Sequence, residues 1–147
     1  MKRIAIQAAD FDVGAELAAL EALGGGAVAS FTGIVRAEGD LIALELEHYP
    51  AMTQIQVERI ADMALARWPL LGLSILHRHG RLVPGERIVF VGTTSRHRVA
   101  ALESCAFLID WLKSCAPFWK KAHHADRAGE WIAPRSEDDA RIRDWDR

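Results

Sequence analysis

The sequence predicts an α+β fold, with mixed antiparallel strands around one long central helix. Three observations point to it. Runs of alternating polarity come in neighbouring pairs, 27–36 with 41–49 and 73–82 with 86–94, rather than in strict alternation with helices. Each pair is separated by a short segment with turn chemistry, AEGD at 37–40 and VPGE at 83–86. The stretch 96–116 is apolar on more than one side, which marks a helix buried on several faces.

In order along the chain, IAIQA at 4–8 alternates as a short strand. Asp10 or Asp12 can then cap a helix over 13–23 that carries Val13, Leu17, Leu20 and Leu23. The three glycines at 24–26 stop it. AVASFTGIVR at 27–36 reads as a strand in which Gly33 marks a bulge or a close backbone approach. LIALELEHY at 41–49 places Leu44, Leu46 and His48 on one face and Glu45, Glu47 and Tyr49 on the other, so it is expected to pair back on the preceding strand as a hairpin. An amphipathic helix comes next, over 52–68, and ends at Pro69. Strands 73–82 and 86–94 flank Pro84 and Gly85, which suit the centre of a type II turn.

The central helix, with Thr94 or Ser95 as its expected cap, carries Val99, Leu102, Phe107, Leu108, Ile109 and Leu112. Pro117 lacks the N–H that would bond the carbonyl of Lys113, so the helix should end close to Lys113 and no later than about Ala116. Phe118 and Trp119 are expected to anchor the extended segment beyond it. The tail supplies a short strand around Trp131 and Ile132 and then a polar helix or frayed end.

The chain has 147 residues, half of them hydrophobic and 26% charged, the size and make-up of one soluble domain spanning 1–147. A net charge of −2 offers no global attraction for nucleic acid. No apolar run has the length of a signal peptide or a membrane span, so a cytoplasmic protein is expected. Cys105 and Cys115 lie on one helix about 15 Å apart, too far for a mutual disulfide.

Several basic groups stand where an anion could bind. Arg36 ends a strand whose Gly33 lets a ligand approach the backbone of Ile34 and Val35. His97 and Arg98 occupy the first turn of the central helix, where free N–H groups and the helix dipole favour negative charge. Lys113, Lys120 and Lys121 gather at its other end. A helix over 96–116 is about 30 Å long, so if His97 and Lys113 touch the same small ligand they come from two subunits. Read singly, each group has an ordinary alternative. Lys113 can simply complement the helix dipole, and the others can be solvated surface cations. His77 and His79 share a strand face as a possible metal pair, but no Cys or carboxylate stands at ligand spacing, and no metal or cofactor site is assigned.

Taken together and in order, FTGIVR (31–36), LELEHYPAM (44–52), RWP (67–69), HRHGRLVPGE (77–86), SRHR (95–98), LKSCAPFWKK (112–121) and GEWI (129–132) resemble the large, catalytic subunit family of molybdopterin synthase. The matching motifs cover most of 27–132, leaving 133–147 as a C-terminal tail. The resemblance implies an α/β hammerhead fold and a homodimer at the centre of a heterotetramer. It also implies a small ubiquitin-like sulfur-carrier subunit whose C-terminal Gly-Gly thiocarboxylate donates sulfur to cyclic pyranopterin monophosphate. Two transfers make the molybdopterin dithiolene of the molybdenum cofactor. The family's essential lysines fall on Lys113 and Lys120. Its substrate-binding positions fall on Ile34, Val35, Arg36, His97, Arg98, Lys113, Lys120, Lys121 and Ala122. The chemistry suits these residue types, because a cyclic phosphate and a thiocarboxylate are both anions that arginine and lysine hold by charge-assisted bonds.

One position departs from the family, which commonly has a glutamate where this chain has Ala122. Two readings compete with the resemblance. A non-catalytic dimeric module would bind a phosphorylated small molecule or a partner's C-terminal tail and tolerate loss of Lys113. A sulfurtransferase working through a cysteine persulfide would depend on Cys105 or Cys115.

Overall fold

The computed structural model describes residues 1–125, 127–133 and 136–146. Two four-stranded sheets share four helices. In chain order the elements are β1 (Lys2–Gln7), α1 (Val13–Glu21), β2 (Ala27–Ile34), β3 (Leu41–His48), α2 (Pro50–Arg67), β4 (Leu70–Arg78), β5 (Gly80–Leu82), β6 (Arg87–Ser95), α3 (Arg98–Cys115), β7 (Phe118–His124), β8 (Arg127–Ile132) and α4 (Ser136–Asp144).

The first sheet runs β1-β4-β6-β2, with β1 parallel to β4 and the other pairs antiparallel. Both of its faces are covered, which is why β4 and β6 read as nearly continuous apolar runs. One face carries Leu73, Ile75 and Val91 against Val57, Ile60 and Ala64 of α2 and Phe107, Leu108 and Leu112 of α3. The other face seats Leu76 and Phe90 against Leu20 of α1 and Phe11. Fully buried side chains such as Ile75, Phe90 and Leu108 each contribute about 1.5–3 kcal/mol of hydrophobic stabilisation. α1 is capped as expected by Asp12, whose carboxylate accepts from Ala15 N at 3.1 Å.

The second sheet, β5-β3-β7-β8, is antiparallel throughout. Here the structure corrects the expected hairpin: β2 pairs with β6, while β3 pairs with β5 and β7. The chain leaves the first sheet at a register shift between Gly33 and Ile34. It is then tied to the β5–β6 turn, where Val35 N donates to Glu86 O and Gly85 N donates to Val35 O, both at 2.8 Å. Gly85, at φ 93°, makes that turn as expected. A side chain at Gly33 would meet Val89 at 2.7 Å, so its glycine serves close strand packing. Leu44 and Leu46 accordingly bury against Leu82 and Val35.

The α3 cap is a second correction. Thr94 and Ser95 are buried residues of β6, bonded or packed within the sheet region, and the N-cap is His97 in extended conformation without a side-chain cap bond. At its far end, α3 meets the tail. Trp145 lies edge-on to Trp68 and Phe107, and its indole N–H donates to Asp110 at 2.7 Å. That contact turns a polar helix, α4, into a cover for the outside of α3.

Candidate active site

α3 runs two residues past Lys113, to Cys115, because Ala116 N can still reach Leu112 O at 3.3 Å. Pro117 then ends the ladder, leaving Lys113 on the last helical turn. The chain turns directly into β7, whose strand parity sorts its side chains between two faces. Phe118, Lys120 and Ala122 face one side, and Trp119, Lys121 and His123 face the other. The first set lies opposite His48, Leu46 and Leu44 of β3. Phe118 packs on the cluster formed by Val35, Leu44, Leu46 and Leu82, so this is the covered face of the second sheet. Of the two expected anchors only Phe118 serves, since Trp119 is 44% exposed.

The first sheet meets this face through His77, which continues the Leu73–Ile75 side of β4 beneath the end of α3. Its ring lies flat on Phe118, with centroids 3.7 Å apart and planes 10° apart. His48 approaches the same phenyl ring at 5.5 Å and packs on His79 at 4.6 Å. Burial pushes the His77 imidazole down to about 4, and the charges of Lys120 and Lys113 push in the same direction. His48 is lowered too, by burial and then by His79. The residues that gather here are therefore two lysines from either side of the Pro117 break and two imidazoles favoured in the neutral form. Sequence reasoning missed His77 and His48 as site residues. The signal is present in HRHG, but its parity offers His77 and His79 only as a possible metal pair, which is not assigned, and nothing local ties His77 to the lysines. The chain leaves β4 at Arg78, and the two rings part, His77 onto Phe118 and His79 onto His48. Among the described residues no group of three His, Cys, Asp or Glu side chains is arranged to hold a metal ion.

The remaining predicted residues distribute around this centre. Val35 is 2% exposed and belongs to the cluster under Phe118, whereas Ile34 is 54% exposed. Arg36 stands next to them at that edge, exposed and paired with Glu38 at 2.7 Å. Ala122 is buried beside Leu44 on the Lys120 face. Lys121 is not brought to the pair: its ammonium stands 5.4 Å over the Trp131 ring on the opposite face. His97 and Arg98 are exposed at the N-terminal end of α3, about 22 Å from Lys113 along the helix axis at ~1.5 Å per residue. Gly25 and Gly26 lie against the strand end that leads to them, where added side chains would meet Ser95 O and Arg96 O at 2.5 Å. One chain thus presents two separate basic stations, and a small ligand can bridge them only across two copies.

The two lysines, beside an apolar floor, can hold and polarise a small anionic substrate and move protons at its reacting atoms. The cysteines are poorly placed for such work. Cys105 is buried, its thiol pushed up to about 11 by burial, and it points at Val91 O at 3.8 Å. Cys115 is partly buried and also raised.

A family model described as MoaE protein matches residues 6–115. The chain is 51% identical over 146 residues to the molybdopterin synthase catalytic subunit of Mesorhizobium japonicum, covering 97% of this chain and 92% of that one. It is 49% identical to the protein of the same description from Pseudomonas aeruginosa, covering 97% and 98%. Among solved structures it is similar to a molybdopterin biosynthesis MoaE protein from Burkholderia ambifaria (TM-score 0.86, 47% identity, 99% of both chains). It is also similar to a chain in the protein–protein complex of subunits 1 and 2 of molybdopterin-converting factor from Helicobacter pylori (TM-score 0.75, 25% identity, 92% of both chains).

Proposed function

The chain belongs to the MoaE family of molybdopterin synthase catalytic subunits, and from that premise we propose that Lys113 and Lys120 carry its sulfur transfer. The reaction takes sulfur from the C-terminal thiocarboxylate of a small ubiquitin-like partner and places it on cyclic pyranopterin monophosphate. A carbon–sulfur bond forms at the pterin side chain as a carbon–oxygen bond to the same carbon breaks, its oxygen leaving as water or with the opened phosphate ester. The acyl carbon–sulfur bond then breaks as water adds to the acyl carbon, leaving the partner with a carboxylate. Both steps require a cation near the acyl oxygen and a group that gives and takes protons.

The observation that carries this reading is that Lys113, in the last turn of α3, and Lys120, on the covered face of β7, flank the Pro117 break, with the charge of each bearing on His77. Lys113, exposed on the last turn of α3, is assigned to the incoming thiocarboxylate. Lys120, half-buried on the covered face of β7, is assigned to the pterin. Arg36, with the backbone of Ile34 and Val35, borders the same cluster. His97 and Arg98 of the second copy in a homodimer complete the anion site, with one sulfur carrier at each end of a heterotetramer. The subunit complex from Helicobacter pylori supports a two-component assembly. No helix among the described residues is long and apolar enough to cross a membrane, and the reaction is assigned to the cytoplasm.

The test is reconstitution. Purified chain, thiocarboxylated partner and cyclic pyranopterin monophosphate should yield molybdopterin in proportion to the chain added. Partner binding without product would favour the binding-module reading. Loss of product in Cys105→Ser or Cys115→Ser would favour a persulfide carrier.

A further inference from the structure

The outer face of the second sheet carries large rings that the core does not use. Strand parity turns Leu44, Leu46 and Lys120 to the covered side and leaves Glu45 and Glu47 of β3, with Trp119 and Lys121 of β7, on the outer one. Trp131 of β8 pairs with Lys121 and so stands diagonal to Trp119, within reach of an aromatic side chain. Tyr49 follows β3 in extended backbone, as the residue before Pro50, which opens α2. Its ring meets that of Trp119 at 5.0 Å and 82°. Tyr49 is 63% exposed, Trp119 44% and Trp131 55%. The rings stand around a space rather than fill one, for Glu47, His48, Tyr49, Trp119 and Trp131 line a cavity of about 260 Å³.

The lining favours positive charge. Two aromatic planes at a right angle form a corner, and the negative faces of both rings make that corner a seat for a cation. A planar guanidinium stacks on one wall of such a corner, whereas a compact ammonium touches both. Of the described residues that line the cavity, Glu47 alone carries a negative charge. Glu45, two residues before it, is held by His123 at 2.8 Å. No hydrogen bond or ion pair among the described residues engages Glu47. His48 adds no positive charge at neutral pH, because burial holds its imidazole below the ordinary value. The same face already uses this chemistry, since the Lys121 ammonium stands 5.4 Å over the Trp131 ring. The space is smaller than the roughly 300 Å³ at which a pocket engulfs a whole ligand, so it fits the head group of a longer molecule.

We propose that this cavity binds the ammonium head of an organic amine, with Tyr49, Trp119 and Trp131 as its walls and Glu47 as its counter-ion. Its charge preference is opposite to that of the lysine pair, so it is a site apart from the one assigned to the anionic substrate, and it does not depend on the sulfur-transfer reading. A free quaternary amine and a lysine side chain of a docked protein offer the same head group, and the test separates them.

The purified chain is titrated with choline and followed by ¹H–¹⁵N NMR of its indole N–H groups. The Trp119 and Trp131 resonances should move saturably, with a Kd on the order of 1–10 mM, while those of Trp68 and Trp145 stay. The uncharged isostere of choline, in which a tert-butyl group replaces trimethylammonium, should bind at least about tenfold more weakly. Glu47→Gln should weaken choline binding by roughly tenfold, and Trp119→Ala, at a position the core does not use, should abolish saturation. Nα-acetyl-lysine methylamide binding at least as tightly as choline assigns the site to a protein side chain, and tighter binding of choline assigns it to a free quaternary amine. Equal affinity for choline and its uncharged isostere, or no saturable shift with either amine, overturns the proposal.

Discussion

The imidazole of His77 and the phenyl ring of Phe118 lie face to face, 3.7 Å apart and within 10° of parallel. Through this contact a side chain of the first sheet meets one of β7, the strand that carries Lys120 two residues on. The stack couples the position of β7, which carries the second lysine, to the core of the first sheet.

Burying His77 neutral makes stability depend on pH. Its folded midpoint, about 4, lies below the ordinary imidazole value of ~6.5. Between these values the unfolded chain binds more protons than the folded one, so stability falls as pH drops through that window. The loss amounts to an order of ~3 kcal/mol once both forms are protonated. Urea midpoints measured from pH 7 to pH 4 should show this decline, and His77→Phe should flatten it. Equal slopes in the two proteins would contradict the assignment.

Strand parity separates two adjacent lysines. Lys120 shares the covered face with Phe118, and Lys121 stands over Trp131 on the other. Lys120→Ala should lower kcat by roughly 100-fold, whereas Lys121→Ala should stay within about threefold, as a half-exposed cation–π contact would. Steady-state rates of the two variants with saturating sulfur carrier decide the point. Comparable losses would place both side chains at the substrate.

Much of this arrangement was legible in the sequence because it rests on local rules. Asp12 as a cap, Pro84–Gly85 as a turn, Pro117 as a helix stop and the apolar sides of α3 all depend on near neighbours. What failed was long-range pairing. Leu41–His48 has the pattern of a hairpin partner for Ala27–Ile34, and nothing in its alternation says that β5 and β7 will claim it. Thr94 and Ser95 look like caps, but burial in β6 overrides that local preference. The same limit explains the site. Lys113 and Lys120 stood out by their spacing around a proline, while His77 joined them only through a contact 41 residues along the chain, with Phe118.

The two basic stations at the ends of α3 predict complementation between copies. Lys113→Ala and Arg98→Ala chains should each be nearly inactive alone. In a mixed dimer, one of the two sites regains both residues. Refolding the two variants together at equal amounts should restore about a quarter of wild-type turnover, from the statistical share of mixed dimers. A mixture no more active than its components would place Arg98 and Lys113 in the same chain's site or remove Arg98 from it.

The most direct measurement is a single-turnover reaction in which thiocarboxylated carrier is held in complex with wild type, Lys113→Ala or Lys120→Ala and then mixed with cyclic pyranopterin monophosphate. Carrier binding is measured in parallel. The account predicts that all three bind the carrier, that wild type forms molybdopterin, and that each variant slows sulfur transfer by roughly 100-fold or more. Sulfur transfer at the wild-type rate in both variants would contradict it.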